Sequence, residues 1–144
     1  MIISKTPLRV SFFGGGTDYP EYYKREIGIV VGAAIDKHVY VSVNENSKFF
    51  DYKTRISYRK TELVNDFKEI EHPSVRACLE YLDINSGVDI NIFSDVPART
   101  GLGSSSSFTV GLLNALFALQ GESKSAQQLG ELACHIEQNV IGEN

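Results

Sequence analysis

Residues 95–107 read Asp-Val-Pro-Ala-Arg-Thr-Gly-Leu-Gly-Ser-Ser-Ser-Ser, and two apolar patterns of different period flank them. Upstream, Val88, Ile90 and Ile92 alternate with Asp89, Asn91 and Ser94, the period of a half-buried strand. Downstream, Phe108, Leu112, Ala115, Leu116 and Leu119 recur at three- and four-residue steps, the period of one helical face. This order runs from a strand through a Pro/Gly loop into a helix whose first turn is serine. The first turn of a helix has backbone N–H groups without intrahelical partners. The aligned peptide dipoles place about half a positive charge at the same end. Gly101 and Gly103 leave the main chain approachable and tolerate positive φ, and serine hydroxyls can donate to phosphate oxygens or ligate magnesium. The pattern predicts an anion site. The alternative is a plain strand-to-helix turn with Ser104 as the helix cap. No GK[ST] follows the glycines, so this is not a Walker-type loop.

The rest of the composition limits the partners. The chain has 144 residues, enough for one domain with its own core. A formal net charge of -4 and the lack of a basic tract argue against a nucleic-acid surface. No apolar run reaches membrane-spanning length, and the first five residues do not resemble a signal peptide. Cys78 and Cys134 have no metal or redox spacing and are expected as buried thiols in a reducing compartment. His38, His72 and His135 are scattered, with no His/Cys metal cluster in the pattern. Together these features predict a soluble cytoplasmic protein.

Taken in order, residues 2–4 and 8–13 are β-prone runs broken by Thr6-Pro7, either two strands or one bent strand. Gly14-Gly15-Gly16-Thr17-Asp18 follows. Such a run either brings the backbone close to something or forms a tight turn in which Asp18 caps a helix starting near Glu21. Arg9 in an apolar strand calls for an anionic partner or a route to solvent. Residues 28–35 and 39–43 predict two strands separated at Asp36-Lys37, and 49–58 continues in β-like fashion. Residues 59–70 are charged and read as an excursion with a short strand or turn, its charges forming a solvated face. Pro73 suits the first position of a helix over 74–83. Gly121 ends the serine helix, and Ser125 with Gln128 forms a capping box for a last helix. On that helix Leu129, Ala133, Ile136 and Val140 are expected on the buried face. Glu137 lies near its C-terminal end, where a carboxylate opposes the dipole; a solvated surface Glu is the plainer account. The element pattern predicts an α+β fold with a mostly antiparallel sheet and helices packed on one face.

Three separated segments resemble the GHMP small-molecule kinases. Pro97 to Ser107 is similar to that family's phosphate loop, residues 7–19 to its N-terminal sugar-binding motif, and residues 135–142 to the helix bearing its magnesium-binding Glu. The resemblance implies a left-handed β-α-β unit within the α+β fold. It also implies ATP and Mg2+ as cofactors. By carry-over, Gly15, Gly16, Thr17 and Asp18 would bind substrate, and Arg9 would lie near the transferred phosphate. Pro97, Gly101, Leu102, Gly103, Ser104, Ser105 and Ser106 would hold ATP, and Ser105 and Glu137 would ligate magnesium. The GGGTDYP form most resembles the heptose 7-phosphate kinases, which implies phosphorylation of the anomeric hydroxyl of a small-molecule sugar phosphate.

The family's catalytic Asp would fall beyond Asn144. Residues 1–144 are therefore expected to be most of an N-terminal domain, without the C-terminal domain and inactive alone. Loss of a general base typically costs about 100- to 10,000-fold in rate. Apolar surface left by the missing half would favour a homodimer. A fucokinase-like enzyme, a non-catalytic nucleotide-binding module, and an RNA-binding domain (disfavoured by the acidic balance) are the alternatives. Lys5, Arg9 and Arg99 are the basic residues considered for a substrate phosphate.

Overall fold

The computed structural model of the chain describes residues 1–15, 17–98 and 100–142. Five strands form one sheet in the order β1-β2-β5-β3-β4: β1 Ile2–Phe13, β2 Val31–Glu45, β3 Thr54–Ser57, β4 Thr61–Val64 and β5 Val88–Ser94. The pairs β1/β2, β2/β5 and β3/β4 are antiparallel. The pair β3/β5 is parallel, and its connection carries β4 and the helix α2 (Pro73–Tyr81), giving the sheet its β-α-β unit. The remaining helices are α1 (Pro20–Tyr23), α3 (Ser104–Leu119) and α4 (Ala126–His135), the last running on into a π-helical turn, Ile136–Ile141. The fold is mixed α+β, as the order of periodic segments predicts.

Each strand alternates because one face of the sheet is covered. Leu8, Val41, Val43, Ile56 and Ile90 are fully buried. They meet Leu112, Leu113 and Leu116 of α3, Val75 and Leu79 of α2, and Ile136 in one core. Burying each such side chain contributes roughly 1.5–3 kcal/mol. Helix α3 is buried nearly all round, from Ser107 to Phe117, because it lies on β1 and β2 while α2 and α4 flank it. It sits close: the Ser4 hydroxyl donates to the Gly111 carbonyl at 2.7 Å.

Several boundaries differ from the sequence expectations, each for a physical reason. β1 is one strand, the second of the two readings given for it, but β2 is also continuous, with no turn at Asp36-Lys37. Opposite Pro7–Arg9 the β2 partners jump from His38 to Ala34, so Asp36 and Lys37 fall in a bulge of a continuous strand. The β-like run 49–58 is strand only from Thr54. The Asn46 side-chain amide donates to the carbonyls of Tyr52 and Lys53 and holds the preceding residues as a loop. The charged stretch 59–70 is not simply a solvated face. Its short strand is β4, as expected, but the Glu62 carboxylate is buried there, accepting from the Tyr58 hydroxyl at 2.7 Å and the Glu71 N–H at 2.7 Å. Helix α2 stops at Tyr81, short of 83, because Asp83 turns left-handed with φ 51°.

Two expectations on the last helix are overturned. Val140 is 47% exposed. Ile141, at the end of the π turn, packs against the core in its place. Cys134 is exposed, one residue and about 100° off the stripe that buries Ala133. Cys78 is buried as expected, and burial first, then the Glu137 charge, pushes its thiol up to about 12.

Candidate active site

The loop between β5 and α3 is tied down at both ends. At its start the Asp95 N–H donates to the His38 carbonyl at 3.0 Å, and the Asp95 carboxylate accepts from the His38 N–H at 2.8 Å. At its end the Arg9 N–H donates to the Leu102 carbonyl at 3.1 Å, and the Arg9 guanidinium reaches the Gly101 carbonyl at 3.4 Å. Gly103 is the residue before α3 and is left-handed at φ 72°. A Cβ there would stand 3.1 Å from Arg9 Nε. Glycine at 103 thus serves both the turn and the seating of Arg9.

Among the described residues no side chain caps α3. Ser104 is therefore the first helical residue and not its cap, and the first-turn N–H groups of residues 104–106 have no partner within the helix. Ser105 and Ser106 are exposed, while Ser107 turns inward, its hydroxyl donating to the Pro7 carbonyl at 3.0 Å. Pro97 is exposed and Leu102 is half-buried against the core. Arg99 and Gly16 lie outside the described residues.

The π turn brings Glu137 across to this helix end. Glu137 Oε2 accepts from the Ser106 hydroxyl at 3.2 Å, and Oε1 from the Thr109 hydroxyl at 2.8 Å. The carboxylate lies against the positive end of α3, which offsets its poor position in its own helix. The hydroxyl that meets it is that of Ser106, with Ser105 exposed alongside. Thr109 is the residue sequence reasoning missed. It is fully buried, and it lies three positions after Ser106 on the same helical face. A polar residue inside an apolar helical run was the available signal.

Asp18 lies across the glycine turn, its N–H donating to the Gly15 carbonyl at 3.2 Å. Its side chain does not cap α1, whose N-cap is Tyr19. The glycine turn is a close approach as well as a bend: a Cβ on Gly14, with φ 109°, would come 2.8 Å from the Ile29 carbonyl. The Thr17 hydroxyl donates to that same carbonyl at 3.4 Å, which ties Thr17 to the turn itself. A cleft of about 590 Å³ opens between Gly15, Asp18 and the helix α1 on one side and Gln138-Asn139 on the other, next to Glu137 in the chain.

The donor set fits a hard cation sharing its shell with phosphate. Among the described residues no cluster of three or more His, Cys, Asp or Glu could hold a metal by itself. A carboxylate and serine hydroxyls beside an uncapped helix start suit magnesium, which keeps waters and phosphate oxygens in its shell.

The chain belongs to the GHMP kinase family: residues 67–144, more than half its length, match the family described as GHMP kinases N terminal domain. It is 30% identical, over 98% of its length, to D-glycero-alpha-D-manno-heptose 7-phosphate kinase of Campylobacter jejuni, of which it covers 44%. Mevalonate kinase of Methanothermobacter thermautotrophicus is 30% identical over 78% of the chain, which covers 36% of that protein. Galactokinase of Thermosipho africanus is 28% identical over 97%, with 39% of it covered. The chain thus spans less than half the length of these curated relatives. In structure, D-glycero-D-manno-heptose 1-phosphate kinase from Bacteriodes thetaiotaomicron shares the fold at a TM-score of 0.81 and 23% identity, over 100% of this chain and 50% of that one.

Proposed function

We propose that residues 1–144 form the N-terminal, nucleotide- and substrate-binding part of an ATP-dependent small-molecule kinase. Its substrate in this reading is D-glycero-D-manno-heptose 7-phosphate, phosphorylated at the anomeric hydroxyl. The observation that carries it is the uncapped start of α3, faced by a carboxylate that two hydroxyls of the same helix hold in place. Phosphoryl transfer depends on positioning and charge neutralisation more than on covalent chemistry. The N–H groups at residues 104–106 receive phosphate oxygens. Arg9, seated behind Gly101 and Gly103, adds positive charge to that cradle. Ser105 and Glu137 serve as the magnesium ligands, and Ser106 and Thr109 fix the carboxylate's orientation. Magnesium, when bound, offsets the charge of the phosphate oxygens. Asp18 accepts hydrogen bonds from substrate hydroxyls. The heptose assignment is supported by the Campylobacter jejuni relative and by the GGGTDYP segment. Among the described residues no helix is long and apolar enough to cross a membrane, and a cytoplasmic enzyme is the reading proposed.

Calorimetric titration with a non-hydrolysable ATP analogue tests the reading. The expected result is magnesium-dependent binding that Glu137→Gln weakens tenfold or more and that Gly103→Val abolishes. Analogue binding indifferent to magnesium and to both substitutions would overturn it. In this reading the isolated chain binds without turnover, and phosphoryl transfer belongs to the longer protein.

A further inference from the structure

The cleft beside Glu137 has a chemical character of its own. Its volume, about 590 Å³, lies in the range that takes small molecules. Tyr19 and Tyr23 are one helical turn apart and present ring faces and phenols. Asp18 stands before α1 and Lys24 is the residue that ends it, so a carboxylate and an ammonium bracket the helix. Opposite them stand Gln138 and Asn139 on the π turn. The Asn139 amide nitrogen lies 2.9 Å from His135 Nδ1, which leaves its carbonyl oxygen to accept from a ligand. Donors and acceptors so alternated, with ring faces between them, suit a polyhydroxylated molecule.

Lys24 is the one cation among the residues lining this cleft, and it forms no ion pair among the described residues. Of the other basic residues weighed for a substrate phosphate, Arg99 lies outside the described residues and the remaining two are placed elsewhere. Arg9 is seated on the loop before α3. Lys5 follows Ser4, whose side chain points at α3, so strand alternation puts Lys5 on the opposite face of the sheet. This corrects the expectation that Lys5 could meet a substrate phosphate.

Resting on the kinase reading above, we propose that Lys24 is the specificity residue for a substrate phosphate remote from the reacting hydroxyl. Tyr19, Tyr23, Gln138 and Asn139 hold the polyol between that phosphate and Glu137. The ammonium binds the phosphoryl group as a point charge in a half-open cleft, and it contributes nothing to an unphosphorylated sugar.

Calorimetry with D-glycero-D-manno-heptose 7-phosphate and with the unphosphorylated heptose as probes tests this on the wild-type chain, Lys24→Ala and Lys24→Arg. The expected result is that Lys24→Ala weakens the phosphorylated sugar about tenfold or more, that it shifts the unphosphorylated sugar less than twofold, and that Lys24→Arg restores most of the loss. Equal effects on both sugars, no effect on either, or no binding of either sugar to wild type would overturn it. The ATP analogue is titrated in parallel. Nucleotide binding intact in the face of any of those outcomes rejects the Lys24 assignment alone, whereas its absence rejects the kinase reading as well.

Discussion

Glu62 shows how one buried carboxylate can shape the acid limb of stability. Burial by itself raises its pKa. The hydrogen bonds from Tyr58 and Glu71, with Lys60 nearby, outweigh burial and hold the carboxyl below its ordinary value. A depressed folded-state pKa means stability is fully present above the unfolded value near 4.5 and is lost as pH falls through the lower folded value. Urea denaturation between pH 6 and roughly pH 2–3 should therefore show a loss that Glu62→Gln flattens. Glu62→Ala should cost about 1–3 kcal/mol at neutral pH, because the Tyr58 hydroxyl loses its partner. Thiol chemistry gives a second check at this scale. A thiol reagent should modify Cys134 in the native chain within minutes and reach Cys78 only on unfolding, since Cys78 is buried with its thiol pushed up to about 12. Equal labelling of both under native conditions would contradict the packing of α2. Cysteine spacing says nothing of which side of a helix a residue occupies, so the exposure of Cys134 was not legible beforehand.

Among the elements, α3 has the tightest seat. A Cβ on Gly111 would approach the Thr6 hydroxyl oxygen to 2.7 Å and that of Ser4 to 3.2 Å. Alanine is the better helix former by about 1 kcal/mol, yet Gly111→Ala is expected to destabilise by roughly 1–3 kcal/mol because overpacking wins. Thermal or urea unfolding measures the sign directly. Helix α4 gives the opposite kind of test. Its Ser125–Gln128 capping box is exposed and complete, so Ser125→Ala should cost about 1 kcal/mol without touching nucleotide affinity. Elements with a local cause were legible beforehand: the Pro73 start, the Ser125 cap, the alternation of 88–94 and the period from Phe108 onward. Elements decided by a distant partner were not. The bulge at Asp36-Lys37 depends on where β1 pairs, so it does not follow from neighbouring residues.

For the whole molecule, the sheet sets up the site by bringing three distant segments to one place. Arg9, the loop ending at Gly103 and the turn carrying Glu137 are far apart in sequence yet joined by direct hydrogen bonds. The resemblance to the kinase family pointed to each segment, and the residues alone left Glu137 as a surface carboxylate; only the fold shows that the Ser106 and Thr109 hydroxyls meet it. The strand β1 has a part in this that reaches past its pairing. Through Pro7 and Arg9 it grips Ser107 and Leu102 at the start of α3, and a few residues later the same strand becomes the glycine turn leading to Asp18. The phosphate cradle and the substrate turn proposed above are thus mounted on a single rail. A displacement of that rail moves both mounts together, so the spacing between them is held by covalent chain and not by the chance fit of two separately placed loops.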